Sequence, residues 1–236
     1  MDRIADRLIL LAGGKMLDVA TGRGGFAQYL IENFANYDEL IGIDISTENI
    51  RIARQNLNHG RIELVVMDGS AMAFPDKYFD TVSIANSLHH LQVPGQVLAE
   101  MKRVLKPGGN FIILEMYRDN LSEKQMTHAL LHHWWASVDR ARGIVHNETY
   151  TRTGLVNLIK ALELSDADLF EAFDPGDFSD PLPEEITEIK SICDKYLETA
   201  RNLGRSELVR QGESLKARID TVGYAGASEL ALFGKK

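Results

Sequence analysis

The sequence predicts an α/β fold built around a mostly parallel sheet. Three observations carry this. Short β-type runs alternate with helical stretches over roughly the first half of the 236 residues. A glycine-rich loop links the first run to the helix after it, and the second run ends on an acid, Asp44. A chain of this length fits one domain with additions.

The elements follow in order. Residues 2–11 form a first helix, stopped by Gly13 and Gly14. Residues 16–20 are a short buried strand, and the glycine loop leads into a helix over about 25–34. Residues 40–43 are a second strand, and Ser46 is placed to cap a helix through about Leu57. Residues 62–66 and 81–85 are strands three and four. Residues 97–105 are helical, Lys106-Pro107-Gly108-Gly109 forms a structural stop and turn, and 111–116 is strand five. Glu100 and Arg103 stand three apart, the spacing of a surface pair on a helix.

Beyond residue 117 the rhythm changes. Residues 121–141 read as one long helix rich in His and Trp, and Thr153 as the cap of a helix through about Leu162. Residues 168–173 form a sixth strand, helices lie near 184–202 and 205–220, and 227–233 is a last strand. The acids Glu171, Asp174, Asp177, Asp180, Glu184 and Glu185 make a solvated negative segment.

Charge and cysteine use narrow the function classes. With 26 Lys+Arg against 34 Asp+Glu, the net charge of −8 argues against a surface built to grip nucleic acid. The single cysteine, Cys193, forms no intramolecular disulfide or CxxC metal site, which fits a reducing, cytoplasmic setting. Charges at Asp2, Arg3, Asp6 and Arg7 speak against a signal peptide, and apolar runs such as 111–114 are too short to span a bilayer.

The most informative stretch runs from Leu17 to Phe26, Leu-Asp-Val-Ala-Thr-Gly-Arg-Gly-Gly-Phe. Glycine lets the backbone turn sharply and approach a ligand, and the following helix points free N–H groups into the same crevice. Gly22-x-Gly24-x-x-Ala27, with Asp44 as a ribose acceptor, formally fits a dinucleotide fingerprint and so a nicotinamide-dependent oxidoreductase. Asp18 at the strand end tilts against it, because a carboxylate there crowds a pyrophosphate and suits an ammonium instead. Thr21 also displaces the glycines one step from the strand end.

The same segment resembles the first motif of the class I S-adenosylmethionine-dependent methyltransferases, acid-x-Gly-x-Gly-x-Gly. Here it stands as Asp18-x-Ala20-x-Gly22-x-Gly24, with Ala20 at the first glycine, as in the branch resembling the quinone-biosynthesis methyltransferases. Further stretches match in order: Ile43-Asp44; Met67-Asp68-Gly69-Ser70-Ala71; Phe74-Pro75-Asp76 with Phe79-Asp80; Asn86-Ser87-Leu88-His89-His90-Leu91; and the run from Glu100 to Gly109. The resemblance covers about residues 15–117.

The resemblance implies a Rossmann-like sheet of seven strands, mostly parallel with the last antiparallel, with helices on both faces. It makes the chain a single domain, 1–236, with a donor-binding core over 15–117. The helical additions 121–162 and 184–222 would form a lid or an oligomer face such as that of a homodimer. It also implies methyl transfer to a small molecule without a metal, and S-adenosylmethionine as cofactor. Asp18 would meet the ammonium, Asp44 and Ile45 the ribose end, and Asp68, Gly69 and Ser70 the adenine. Ala20, Thr21, Gly22, Arg23 and Gly24 would face the methionine, with Asn86 and Ser87 near the transferring methyl. A protein that binds the donor or a partner without catalysis remains a third reading.

Substrate choice belongs to the second half. His89, His132 and Tyr117 are candidate bases or orienters, with Glu115, His146 and Tyr150 as further pocket residues. His128 and His132 share a helix face, but no third ligand stands at a telling distance, so no metal is expected. Trp135 is expected to pack on the sheet. The acidic balance favours a neutral or cationic acceptor.

Overall fold

Apolar side chains on both faces of the central strands build the sheet, and they split the core in two. Leu17 and Val19, Ile41 and Ile43, and Phe111 and Ile113 face one apolar layer; Met16, Leu40, Ile112 and Leu114 face the other. The computed structural model describes residues 2–57, 60–172 and 181–236. Asp174, Asp177 and Asp180 of the acidic segment lie outside the described residues.

The strands are β1 (Lys15–Val19), β2 (Glu39–Asp44), β3 (Ile62–Val66), β4 (Phe79–Ala85), β5 (Leu105–Met116), β6 (Ser165–Glu171) and β7 (Glu229–Lys235). They form one seven-stranded sheet in the order β3-β2-β1-β4-β5-β7-β6. β1 to β5 pair in parallel, while β7 runs antiparallel to both β5 and β6. The Rossmann-like sheet implied by the sequence is therefore present. The strand order reverses beside β1 and β4, and in an open α/β sheet the crevice lies there, at the carboxyl ends of the strands.

Helices α1 (Arg3–Leu8), α2 (Gly25–Asn33) and α3 (Thr47–Asn56) cover one face, through Ile4, Leu8, Ala27, Leu30, Ile50 and Ala53. Helices α4 (Pro94–Val104) and α6 (Arg152–Lys160) cover the other. Helix α5 (Glu123–Ala141) packs instead with α7 (Pro183–Asn202) and α8 (Ser206–Thr221) around a third core of Leu131, Trp134, Trp135, Val138, Cys193 and Leu197. α7 and α8 lie between β6 and β7, where the sequence placed an insertion. Among the described residues no helix is long and apolar enough to cross a membrane.

Local chemistry sets the boundaries. Asp2 caps α1, accepting from the N–H groups of Ile4 and Ala5, and the helix ends at Leu8, three residues earlier than expected. Ser46 caps α3 as expected, accepting from Asn49 N. Thr151 rather than Thr153 caps α6: its hydroxyl accepts from Gly154 N, and Asp119 holds Arg152 N at 2.6 Å. The Lys106–Gly109 turn is absorbed into β5, whose register shifts between Phe79↔Leu105 and Thr81↔Asn110. β6 starts earlier than expected and β7 later. Glu100 and Arg103 are more than a surface pair. Glu100 accepts from Met72 N, and Arg103 donates to the carbonyls of Met72 and Phe74 and to Asp76, stapling that loop to α4.

Candidate active site

The first strand delivers a carboxylate into the sheet's crevice and then leaves by a tight turn. Asp18 is 1% exposed and accepts hydrogen bonds from the hydroxyls of Thr21 at 2.6 Å and Ser83 at 2.8 Å. Burial pushes its carboxyl up to about 6, against the pull of those two hydroxyls and with a further push from Asp44. Ala20 has φ of 53° and Gly22 of 57°, a left-handed conformation that favours glycine. Ala20 adopts this conformation at the position where the resembled motif carries glycine. Gly24, at φ of 90°, has a second constraint: a Cβ there would lie 2.5 Å from Leu57 Cδ1.

Asp44, at the end of β2, closes the turn from the other side. One of its oxygens accepts from Gly22 N at 2.9 Å; the other accepts from Ser46 N at 2.8 Å and from Asn49 Nδ2 at 3.3 Å. Asp68 Oδ1 accepts from Ser70 N at 2.8 Å, which shapes the loop after β3. At the end of β4, Asn86 stands at φ of 45° and is held on three sides. Its N–H donates to Leu114 O, its amide donates to Glu229, and its carbonyl accepts from Met116 N. Its side-chain amide therefore ties β4 to β5 and β7. Burial pushes the Glu229 carboxyl up to about 7. Ser87 donates to Ala85 O.

Two cavities open against this turn. One, of about 420 Å³, is lined by Asp18, Thr21 and the stacked pair Phe26 and Tyr29. The other, of about 660 Å³, is lined by Arg23, Asp44, Ile45, Asp68, Gly69 and Ser70. Ala20, Gly22, Asn86 and Ser87 line both and form the shared wall. Every expected donor-site residue except Gly24 thus borders a cavity. Gly24 is turned against α3.

The donor set fits S-adenosylmethionine. The larger cavity has an apolar rim of exposed side chains, Ile45 at 73%, Val93, Ile144 and Val145, a surface suited to a flat aromatic ring. Asp44 lines the same cavity as an acceptor for hydroxyl groups.

The candidate bases lie elsewhere. His89 is 1% exposed, with Nδ1 2.9 Å from Glu115. Tyr117 donates to Glu171 at 2.9 Å. His132 lies on α5 beside His89, and burial, with the neighbouring histidines, pushes its basicity well below the usual range. None of the three lines either cavity; His90 does. Glu115 is fully buried and also accepts from Leu88 N, and His146 is buried against Asp139. Trp135 packs on Tyr196 of α7, not on the sheet. His132 does have further nitrogen neighbours: ligand atoms of His89, His90, His132 and His146 lie within 4.8 Å of one another. Sequence distance hid them. Tyr29 and Asn49 also line the site without any motif having marked them.

Comparison with known proteins agrees with this geometry. Residues 17–113 match a family described as "Methyltransferase domain". This segment is similar to that family. The match spans β1 to most of β5, the part of the sheet that carries the crevice. Over 108 residues the chain is 39% identical to a ubiquinone/menaquinone biosynthesis C-methyltransferase from Bordetella avium, covering 45% of this chain and 42% of that protein. The corresponding protein of Geobacter sulfurreducens is 37% identical over 107 residues, covering 44% of this chain and 42% of that one. The chain therefore spans less than half the length of the curated relatives it matches.

Solved structures extend the likeness of fold beyond the matched segment. The YcgJ protein of Bacillus subtilis aligns with 99% of this chain and 97% of its own at a TM-score of 0.60 and 15% identity. Phosphoethanolamine N-methyltransferase 2 of Haemonchus contortus, solved with phosphomonomethylethanolamine and S-adenosylhomocysteine, aligns with 99% of this chain and 51% of its own, at 0.59 and 18%.

Proposed function

We propose that the protein binds S-adenosylmethionine and transfers its methyl group to a small-molecule acceptor by in-line displacement. The observation that carries this reading is the pair of carboxylates, Asp18 and Asp44, set on the two cavities that meet at one glycine turn. The cofactor supplies a methyl carbon already activated by a sulfonium.

The chain's own residues bind, orient and exclude water. Asp44 accepts from the ribose hydroxyls while Gly22 N, Ser46 N and Asn49 hold it in place. Asp18 meets the ammonium, its desolvation offset once a cation faces it. Ile45 covers one face of the adenine, and Asp68 with the Gly69–Ser70 backbone meets its edge. Ala20 and Gly22 hold the methionine part against the shared wall, where Asn86 and Ser87 border the path of the methyl. This is catalysis by positioning and desolvation.

The smaller cavity takes the ammonium end of the donor at Asp18, and its remaining space beside Asp2, Phe26 and Tyr29 takes the acceptor; among the described residues no Lys or Arg lines it, which supports a neutral or cationic acceptor. The insertion α7–α8 with α5 serves as a lid, or as the face of a homodimer.

A nicotinamide dinucleotide fits less well. The Gly22 N–H that a pyrophosphate would draw on is already donated to Asp44, and buried Asp18 repels phosphate. The test is calorimetric titration with S-adenosylmethionine, S-adenosylhomocysteine and NADH, for the wild type and Asp44→Ala. Saturable binding of the first two, lost in the variant, supports the reading. Binding of NADH alone overturns it. Release of S-adenosylhomocysteine across a panel of neutral and cationic acceptors then finds the substrate.

A further inference from the structure

Four histidines meet beside the larger cavity. His89 and His90 sit on the short 3-10 turn Leu88–His90 after β4, His132 on α5, and His146 in the loop after α5. One nitrogen from each lies within 4.8 Å of the others. Three of these rings carry a buried nitrogen without a hydrogen-bond partner: His89 Nε2, His132 Nδ1 and His146 Nε2. An unpaired buried polar atom is costly, and three pooled in one place demand a common partner.

The partner's nature follows from the far side of the rings. His89 Nδ1 lies 2.9 Å from Glu115, and His146 Nδ1 lies 2.8 Å from Asp139. With the carboxylate as acceptor, each Nδ1 is the donor, and in the neutral ring Nε2 then presents a lone pair to the cluster. Convergent imidazole nitrogens, two of the four rings backed by a carboxylate, are the arrangement that holds a metal ion and fixes the tautomer of its ligands.

We infer that His89, His90, His132 and His146 form a site for one divalent first-row transition-metal ion, with zinc as the first candidate. An all-nitrogen donor set suits zinc and its neighbours and not magnesium or calcium, which take oxygen. The two positive charges of the ion are balanced by Glu115 and Asp139, while the ligands stay neutral. Tetrahedral zinc with Zn–N near 2.05 Å places its ligand atoms about 3.3 Å apart, so closing the cluster moves each side chain inward by roughly 1 Å or less.

The backbone is already braced for this. Asn147 N donates to His89 O at 2.9 Å, Arg140 donates to His146 O at 2.7 Å, and Tyr196 of α7 donates to Asp139 at 3.0 Å. The ion would clasp α5 and the following loop to the end of β4. That loop carries Ile144 and Val145 into the wall of the larger cavity, and His90 lines the same cavity. The site stands whether or not the chain transfers methyl groups.

The test uses the full chain, stripped with a chelator and titrated with Co2+, then with Zn2+. One Co2+ per chain with the intense visible absorption of a four-coordinate ion, displaced one-for-one by Zn2+, supports the site. So does a zinc-dependent rise in melting temperature. Both signals should vanish in His132→Ala and His146→Ala and persist in His133→Gln, whose ring bonds Thr149 outside the cluster. Asp139→Asn should weaken binding by about 10–100-fold. X-ray absorption on the wild-type zinc protein decides the matter even where a variant does not fold. A first shell of imidazole nitrogens supports the assignment. No stoichiometric binding, a sulfur ligand, or a shell mainly of oxygen overturns it.

Discussion

Replacing Asp18 by Asn should make the unliganded protein more stable at neutral pH than at acid pH, relative to the wild type. Asp18 is 1% exposed, and burial lifts its carboxyl up to about 6. From near pH 4 to near pH 6 the native state keeps a proton that the unfolded chain has released. Native-state proton excess means that stability falls as pH rises, so the wild type loses stability across this window. The loss is complete above about pH 7 and absent below about pH 4. The shift of about two units corresponds to about 3 kcal/mol. Asparagine does not titrate. It also accepts through one oxygen only, so the Thr21 or Ser83 hydroxyl must turn, at a cost of about 1 kcal/mol that is the same at every pH. The assay is urea unfolding of both proteins at pH 4.5, 5.5, 6.5 and 7.5. The difference in unfolding free energy, variant minus wild type, should climb by about 2 kcal/mol between pH 4.5 and pH 7.5, the rest of the full effect lying below pH 4.5. A difference that stays flat with pH would refute the reasoning, because it would mean that Asp18 titrates alike in the folded and unfolded states. The same variant should lose the rise in melting temperature that S-adenosylmethionine gives the wild type.

Three further perturbations have clear outcomes. Gly212→Ala gains about 1 kcal/mol of helix propensity in α8. It also sets a Cβ 2.1 Å from Cζ2 of buried Trp134, whose Nε1 is tied to Leu208 O. Overpacking of about 1–3 kcal/mol or more wins, and thermal unfolding should show a lowered melting temperature. Gly24→Ala meets both a φ of 90° and Leu57 Cδ1 at 2.5 Å, so it should lower stability and weaken cofactor binding together, read by melting curves with and without ligand. Ser122→Ala removes half of the capping box of α5, in which Ser122 accepts from Gln125 N and Gln125 accepts from Ser122 N. It should cost about 1 kcal/mol in chemical denaturation and leave ligand affinity unchanged.

The residues that border the crevice were legible because their placement is local. Asp18, Ala20, Gly22 and Gly24 lie on one turn, and Asp44 and Asp68 each end or follow a neighbouring strand. A parallel sheet brings successive strand ends together, so order along the chain becomes proximity in the crevice. The histidines obey no such rule. His89 meets His132 and His146 only because α5 leaves the sheet to pack with α7 and α8, and that choice rests on Trp134, Cys193 and Leu197 fitting one another. The α6 cap escaped for a similar reason. Thr151 and Thr153 are equally good caps in isolation, and Asp119, far away in sequence, decides between them by holding Arg152 N. The Glu100–Arg103 pair looked like an exposed ion pair because its second set of partners, Met72 and Phe74, belongs to another loop.

The strand order has a consequence for how the molecule assembles. β6 stands at the sheet's edge, with β7 as its neighbour, and β7 follows only after the whole of α7 and α8. The first five strands close their ladders among themselves, the widest pairing, β1 with β4, joining residues such as Leu17 and Val82, whereas β5 and β7 join residues such as Ile113 and Leu232. β6 instead waits with both edges open until β7 slots between it and β5, a closure of long range and high entropic cost. The cofactor crevice between β1 and β4 can therefore form while this edge is still unpaired, and the late step is the one that exposes a bare strand to other chains.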